Sequence, residues 1–177
     1  MKTLILVPMM YSQEDLKGIL DRVPQDFQKE SDEYWSYIEE RLNKIEPSVN
    51  SIYMVCSEEN IDPRAAQIIS SLQAKGAEVH RLEDKALAGE ARAWYLMAQD
   101  IGGLIEGEFL EEVNRELGDA LRRMLDSSLG NMDVGVVFFE PTCRLFLGDD
   151  LRVIRMSPFD PRDYLTRYLV LRRISSE

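Results

Sequence analysis

A three-layer α/β sandwich is the fold that this 177-residue sequence predicts. It should hold a five-stranded, mainly parallel sheet with helices on both faces, in a Rossmann-like or flavodoxin-like layout. Three observations predict it. Continuous apolar runs recur at 2–8 (KTLILVP), 51–56 (SIYMVC) and 132–139 (MDVGVVFF), as in strands buried on both faces. Segments with amphipathic helical periodicity stand between them. The two kinds of segment alternate, which favours parallel pairing through helical crossovers.

The first strand ends at Pro8. Ser12, followed by Glu14 and Asp15, marks a helix start, and that helix should reach Val23. Pro24 can occupy the first position of a second helix. Its stripe is Phe27, Ser31, Tyr34, Ile38, Leu42 and Ile45, widened by Trp35, and Pro47 closes it. After the second strand, Asp62-Pro63 starts a helix with an Ile68, Ile69 and Leu72 face, and Gly76 stops it. A short third strand spans 77–82. Asp84 begins a helix carrying Leu87, Ala91, Trp94, Tyr95 and Ala98 on one side.

Residues 100–107 (DIGGLIEG) read as a glycine-bearing break before a helix over 108–125. The fourth strand, 132–139, looks central. The fifth, 151–156, reads as an edge. Its link to the fourth is short for a parallel crossover, so it holds one helical turn at 142–146 or the fifth strand is antiparallel. Asp160-Pro161 opens a last helix with Tyr164, Leu165, Tyr168 and Leu169 facing inward. The chain reads as one α/β domain over 1–177, with helical excursions at 12–45 and 84–125. A domain of this length buries roughly 70% of its unfolded surface and needs no staples.

Composition narrows the function classes. The chain carries 21 Lys+Arg against 32 Asp+Glu, a formal charge of -11. Nucleic-acid binding is not expected, because neutralising phosphates takes clustered Lys and Arg. Charge is uneven, with seven Arg and four Asp between Arg144 and Arg173. Those arginines suit an anionic ligand, but ion pairs with the acidic helices are the commoner arrangement and the one expected here. No run approaches ~20 apolar residues, so no membrane span is expected. Cys56 and Cys143 read as reduced thiols, and the expected location is cytoplasmic.

Ligands of parallel α/β sheets bind beyond the carboxyl ends of the strands. No G-x-G-x-x-G follows the first strand, and no G-x-x-x-x-G-K-[ST] or G-x-S-x-G occurs. No motif therefore assigns a cofactor, which stays unknown. Glu58, Glu59, Glu83, Asp84 and Glu140 all follow strands and together would suit a hard cation. Acidic first turns explain them as well, and no D-x-D or H-x-H spacing supports a site, so no metal is assigned.

Three catalytic candidates remain. His80, the only histidine, can act as a base near neutrality, or it is a structural histidine beside Glu78. Glu140 ends the fourth strand. Cys143 follows between Thr142 and Arg144, where a helix start and a cation would favour a thiolate. Packing as a small buried apolar side chain is the commoner fate of a free cysteine and the one favoured here. Tyr11, Ser12, Glu58, Arg81, Thr142 and Arg144 complete a candidate ligand-binding rim.

The sequence thus points to a cytosolic small-molecule-binding protein or enzyme, with its site at the strand C-termini. The alternative is a non-catalytic homodimer formed through the aromatic helices 24–45 and 84–99. In that reading Tyr37, which lies off the apolar stripe, is the favoured contact.

Overall fold

A computed structural model describes residues 1–19, 23–59, 61–101 and 104–163. The described elements are β1 (Lys2–Pro8), α1 (Gln13–Ile19), α2 (Phe27–Asn43), β2 (Ser51–Val55), α3 (Pro63–Ala74), β3 (Glu78–Arg81), α4 (Leu87–Ile101), α5 (Leu104–Ser128), β4 (Val134–Phe139) and β5 (Leu151–Arg155). The sheet order is β3-β2-β4-β1-β5, and every pairing is parallel. The fifth strand is therefore parallel, at the edge beside β1. Its connection from β4 carries no helix over 142–146, and Leu145 and Leu147 pack on the core as it crosses β1.

Strand alternation divides the core into two layers. Ile5, Val7, Ile52, Met54, Val136 and Phe138 face α2 and α3. Leu4, Tyr53, Val55, Val137 and Phe139 face α4 and α5. β4, at the middle of the sheet, is buried along its whole length. Tyr34 and Trp35 are fully buried and meet edge-to-face at 5.1 Å.

Several boundaries differ from the sequence reading. α2 begins at Phe27, a turn later than Pro24, because Pro24 accepts a hydrogen bond from the Phe27 N–H in the preceding turn. α4 begins at Leu87 rather than Asp84. The Asp84 carboxylate takes the Ala86 N–H at 3.0 Å in the turn ahead of the helix. The break expected over 100–107 shrinks, since α4 runs to Ile101 and α5 starts at Leu104. Gly107 is accommodated inside α5, since an isolated glycine costs a helix only about 1 kcal/mol of backbone entropy relative to alanine. The final helix shows one turn at 161–163, and Tyr164, Leu165, Tyr168 and Leu169 lie outside the described residues.

Two glycines are required by geometry. Gly76 has φ +102° and ends α3, with the Ala77 N–H reaching back to the Leu72 carbonyl at 3.1 Å. Gly135 sits in β4 where a Cβ would fall 2.9 Å from the Tyr53 ring and 3.1 Å from Leu4. Tyr53 has little room to retreat. Its ring is buried, and its hydroxyl lies 2.9 Å from that of Ser128, which itself donates to the Met124 carbonyl. Gly135→Val should therefore cost about 1–3 kcal/mol by overpacking. Urea unfolding measures it, and an unchanged midpoint would contradict this packing.

Candidate functional site

The strand order sets β4 between two strands, β2 and β1, whose connections leave in the direction opposite to its own. β1 leads past β4 to β2, while β4 leads back past β1 to β5. A crevice forms between the carboxyl ends of two such neighbouring strands. Backbone hydrogen bonds hold this end firmly. The Met9 N–H donates to the Phe139 carbonyl at 2.8 Å, and the Glu140 N–H donates to Val55 at 3.0 Å. The Tyr34 hydroxyl donates to the Pro8 carbonyl from α2.

Beyond β1 the chain turns through Met9, Met10 and Tyr11, all buried, to Ser12. Ser12 caps α1 reciprocally with Asp15. Its hydroxyl accepts the Asp15 N–H at 3.0 Å, and the Asp15 carboxylate accepts the Ser12 N–H at 3.2 Å. The cap fixes the Asp15 carboxylate, which meets Arg92 of α4 at 3.1 Å. α1 and α4 belong to opposite layers, so this ion pair ties the layers together across the end of the sheet.

Glu140 lies in that end. Its side chain is buried at 4% exposure, and Oε1 has no hydrogen-bond partner among the described residues. Burial pushes its carboxyl up to about 7, with Arg92 pulling it down and Asp15 pushing it up. Tyr11 is 2% exposed, and its hydroxyl also lacks a partner. Burial raises the Tyr11 phenol well above its ordinary range, and Glu140 and Tyr95 add to the rise. Burial disfavours the Arg92 cation, but Glu140 and Asp15 outweigh it and hold the guanidinium charged.

Tyr11 and Glu140 line a common cavity of about 20 Å³ with Met9, Met10, Asp15, Cys56, Ser57, Glu59, Ile61, Asp62, Arg92 and Pro141. That space suits one water-sized group. An unpartnered buried polar atom costs free energy, about 1–3 kcal/mol for a neutral group. Two of them on one small cavity mark a place where a further hydrogen-bonding molecule is favoured. A carboxyl that changes charge near neutrality is suited to general acid–base chemistry.

The remaining sequence candidates scatter. Ser12 is the helix cap. Thr142 and Cys143 are buried in the turn after β4, where the Cys143 N–H donates to the Glu140 carbonyl at 2.9 Å. The Thr142 hydroxyl has no partner. The environment expected to favour a Cys143 thiolate is absent. No helix starts there, and burial followed by Glu140 pushes the thiol well up, so it stays protonated. Arg144 is exposed, and its backbone N–H donates to Asn114 of α5 at 3.0 Å.

Glu58 and Arg81 form an exposed ion pair at 2.8 Å beside a surface groove of about 450 Å³. His80 stands apart, stacked on Tyr53 at 5.1 Å, with Nε2 3.9 Å from the Glu78 carboxylate. The carboxylates expected along one rim do not converge, and no group of three His, Cys, Asp or Glu among the described residues could hold a metal ion.

Sequence reasoning missed Arg92 and the role of Asp15. The S-x-x-D spacing from Ser12 to Asp15 was a usable signal for a fixed carboxylate. Arg92 had only a faint one. It lies next to Ala91 and four residues after Ala88, both fully buried, which bring α4 close against the sheet.

On the association surface, Tyr34 and Trp35 belong to the core, and Tyr37 is half-buried beneath Arg41. Trp94 stacks on the exposed Phe109 at 4.7 Å. Among the described residues no helix is long and apolar enough to cross a membrane. Comparison with family models, with curated proteins and with solved structures found no match.

The Glu140 carboxyl rises from the ordinary 4.5 to about 7 on folding. Its contribution to stability is fully present below 4.5 and is lost as pH rises through about 7. Glu140→Gln removes that dependence. At pH 8 the variant should be more stable than the parent by on the order of 3 kcal/mol, a gap that closes towards pH 4.5. Chemical denaturation across this range tests it, and a pH-independent difference would contradict the burial of an ionisable Glu140.

Proposed function

We propose that this chain binds a small polar molecule at the carboxyl ends of β1, β2 and β4, and that Glu140 exchanges a proton with it. The observation that carries this reading is that two residues lining one cavity, Glu140 and Tyr11, each hold a buried atom, Oε1 and the hydroxyl oxygen, with no hydrogen-bond partner among the described residues. Support comes also from the position, at the point where the crossovers diverge, and from the Asp15–Arg92 pair that stiffens its wall. Tyr11 and Glu140 orient the ligand. Glu140 is the acid or base, Arg92 moderates its charge, and Met9 and Met10 keep water away.

A second reading, a homodimer through α4, draws on the Trp94–Phe109 stack and the exposed Met97 nearby in the sequence. The aromatic side chains of α2 give it little, since three of the four, Phe27, Tyr34 and Trp35, are core.

A thermal-shift panel of small amines, alcohols, carboxylates and phosphates tests the first reading. A ligand at a hundred times its dissociation constant should stabilise the fold by about 2.7 kcal/mol. Glu140→Gln should abolish the shift, and Tyr11→Phe should weaken it. A hit that survives both variants, or a flat panel with a dimeric mass by light scattering, would move the function to the association surface.

A further inference from the structure

We infer that the molecule taken by the strand-end site presents a protonated amine, an ammonium head that donates to Glu140 Oε1 and to the Tyr11 hydroxyl oxygen. The inference rests on the site proposed above and concerns the chemistry of its ligand.

Charge is the first reason. Four carboxyls and a single guanidinium line the cavity. Arg92 is already committed to Asp15 at 3.1 Å. Asp62 is committed too, accepting the Arg64 N–H at 2.8 Å and the Ser31 hydroxyl at 3.2 Å. What remains is Glu140, buried with an open acceptor among the described residues and compensated only in part by Arg92, together with the exposed carboxylate of Glu59. An anionic ligand would meet two carboxylates with the one nearby cation engaged elsewhere. A cation meets a buried acceptor that Arg92, held by Asp15, compensates only in part.

Size is the second reason. About 20 Å³ accommodates one heavy atom with its hydrogens. An ammonium group fits that space. A phosphate, a carboxylate or a guanidinium is several heavy atoms and does not. Hydrogen-bonding capacity agrees, because –NH₃⁺ offers three donors and no acceptor, which suits two open oxygens. The net charge of -11 also favours the approach of a cation.

The groups facing Glu140 determine how binding responds to pH. They are Arg92 on α4, Asp15 on α1, Tyr11 after β1, Cys56 after β2 and Cys143 after β4, with Glu59 and Asp62 further along the wall. Arg92 stays charged, and burial keeps Tyr11, Cys56 and Cys143 neutral. Between pH 6 and pH 8 the change falls on Glu140, whose carboxyl titrates at about 7. A simple amine remains protonated throughout. Its affinity should therefore rise about tenfold from pH 6 to pH 8 as the carboxylate form fills.

The experiment uses the full chain with labelled methionine methyls, so that Met9 and Met10 report on the cavity. Methylammonium, methanol, acetate and inorganic phosphate are titrated separately at pH 6 and pH 8. Methylammonium should shift the Met9 and Met10 methyls saturably, about tenfold more tightly at pH 8. Glu140→Gln should abolish this response, and Tyr11→Phe should weaken it while leaving its pH dependence. If methanol, acetate or phosphate moves those methyls and methylammonium does not, the amine assignment is wrong and the strand-end site stands. If Glu140→Gln binds methylammonium as the parent does, the assignment is wrong. If no probe moves them, both the assignment and the strand-end site fail.

Discussion

The parallel ladder between β1 and β4 is the contact on which the other elements depend. It runs from Thr3 paired with Val134 to Pro8 paired with Phe139, and both strands are largely enclosed. Parallel neighbours cannot be joined by a tight turn, so each must send its chain over the sheet. β1 sends α1 and α2 one way, and β4 sends residues 140–150 the other way. Connections in opposite directions cover opposite faces when each crossover is right-handed. The two core layers and the crevice at the strand ends follow from that single pairing.

Within the crevice, burial and charge oppose each other. A carboxyl removed from water prefers to be neutral, and Glu140 responds by holding its proton to about pH 7. Arg92 prevents a larger rise but cannot neutralise Glu140 fully, because Asp15 holds it from α1. Asp15 in turn is held by the cap at Ser12. Helix capping, a cross-layer ion pair and an unsatisfied acid thus form one chain of dependence. A stability-optimised core would place an apolar side chain at position 140. Retaining an acid there is consistent with a site that exchanges free stability for chemistry.

The fold was legible because its signals are local and repeated. VGVVFF at 134–139 can be little but a buried strand, and Asp62-Pro63 with Gly76 marks both ends of a helix. Strand order was not legible, since it depends on which apolar edge each helix covers. The direction of 151–155 also escaped, because a parallel crossover without a helix leaves no periodic signature.

The site was half legible. Tyr11 and Glu140 follow strand ends and were found by that rule alone. Arg92 sits mid-helix, more than seventy residues from Asp15, and only tertiary packing brings them to 3.1 Å. Cys143 misled for the same reason. Its neighbours in sequence suggested activation, whereas in space burial, Glu140 and Cys56 outweigh the pull of Arg92.

The most direct measurement is the titration of the Glu140 side-chain carboxyl carbon by NMR, assigned through Glu140→Gln. A midpoint near 7, falling when Asp15 is replaced by Asn and Arg92 is released towards Glu140, is the result this account predicts. A midpoint in the ordinary carboxylate range near 4.5 would contradict it, because Glu140 would then be solvated or fully paired rather than buried with an open acceptor.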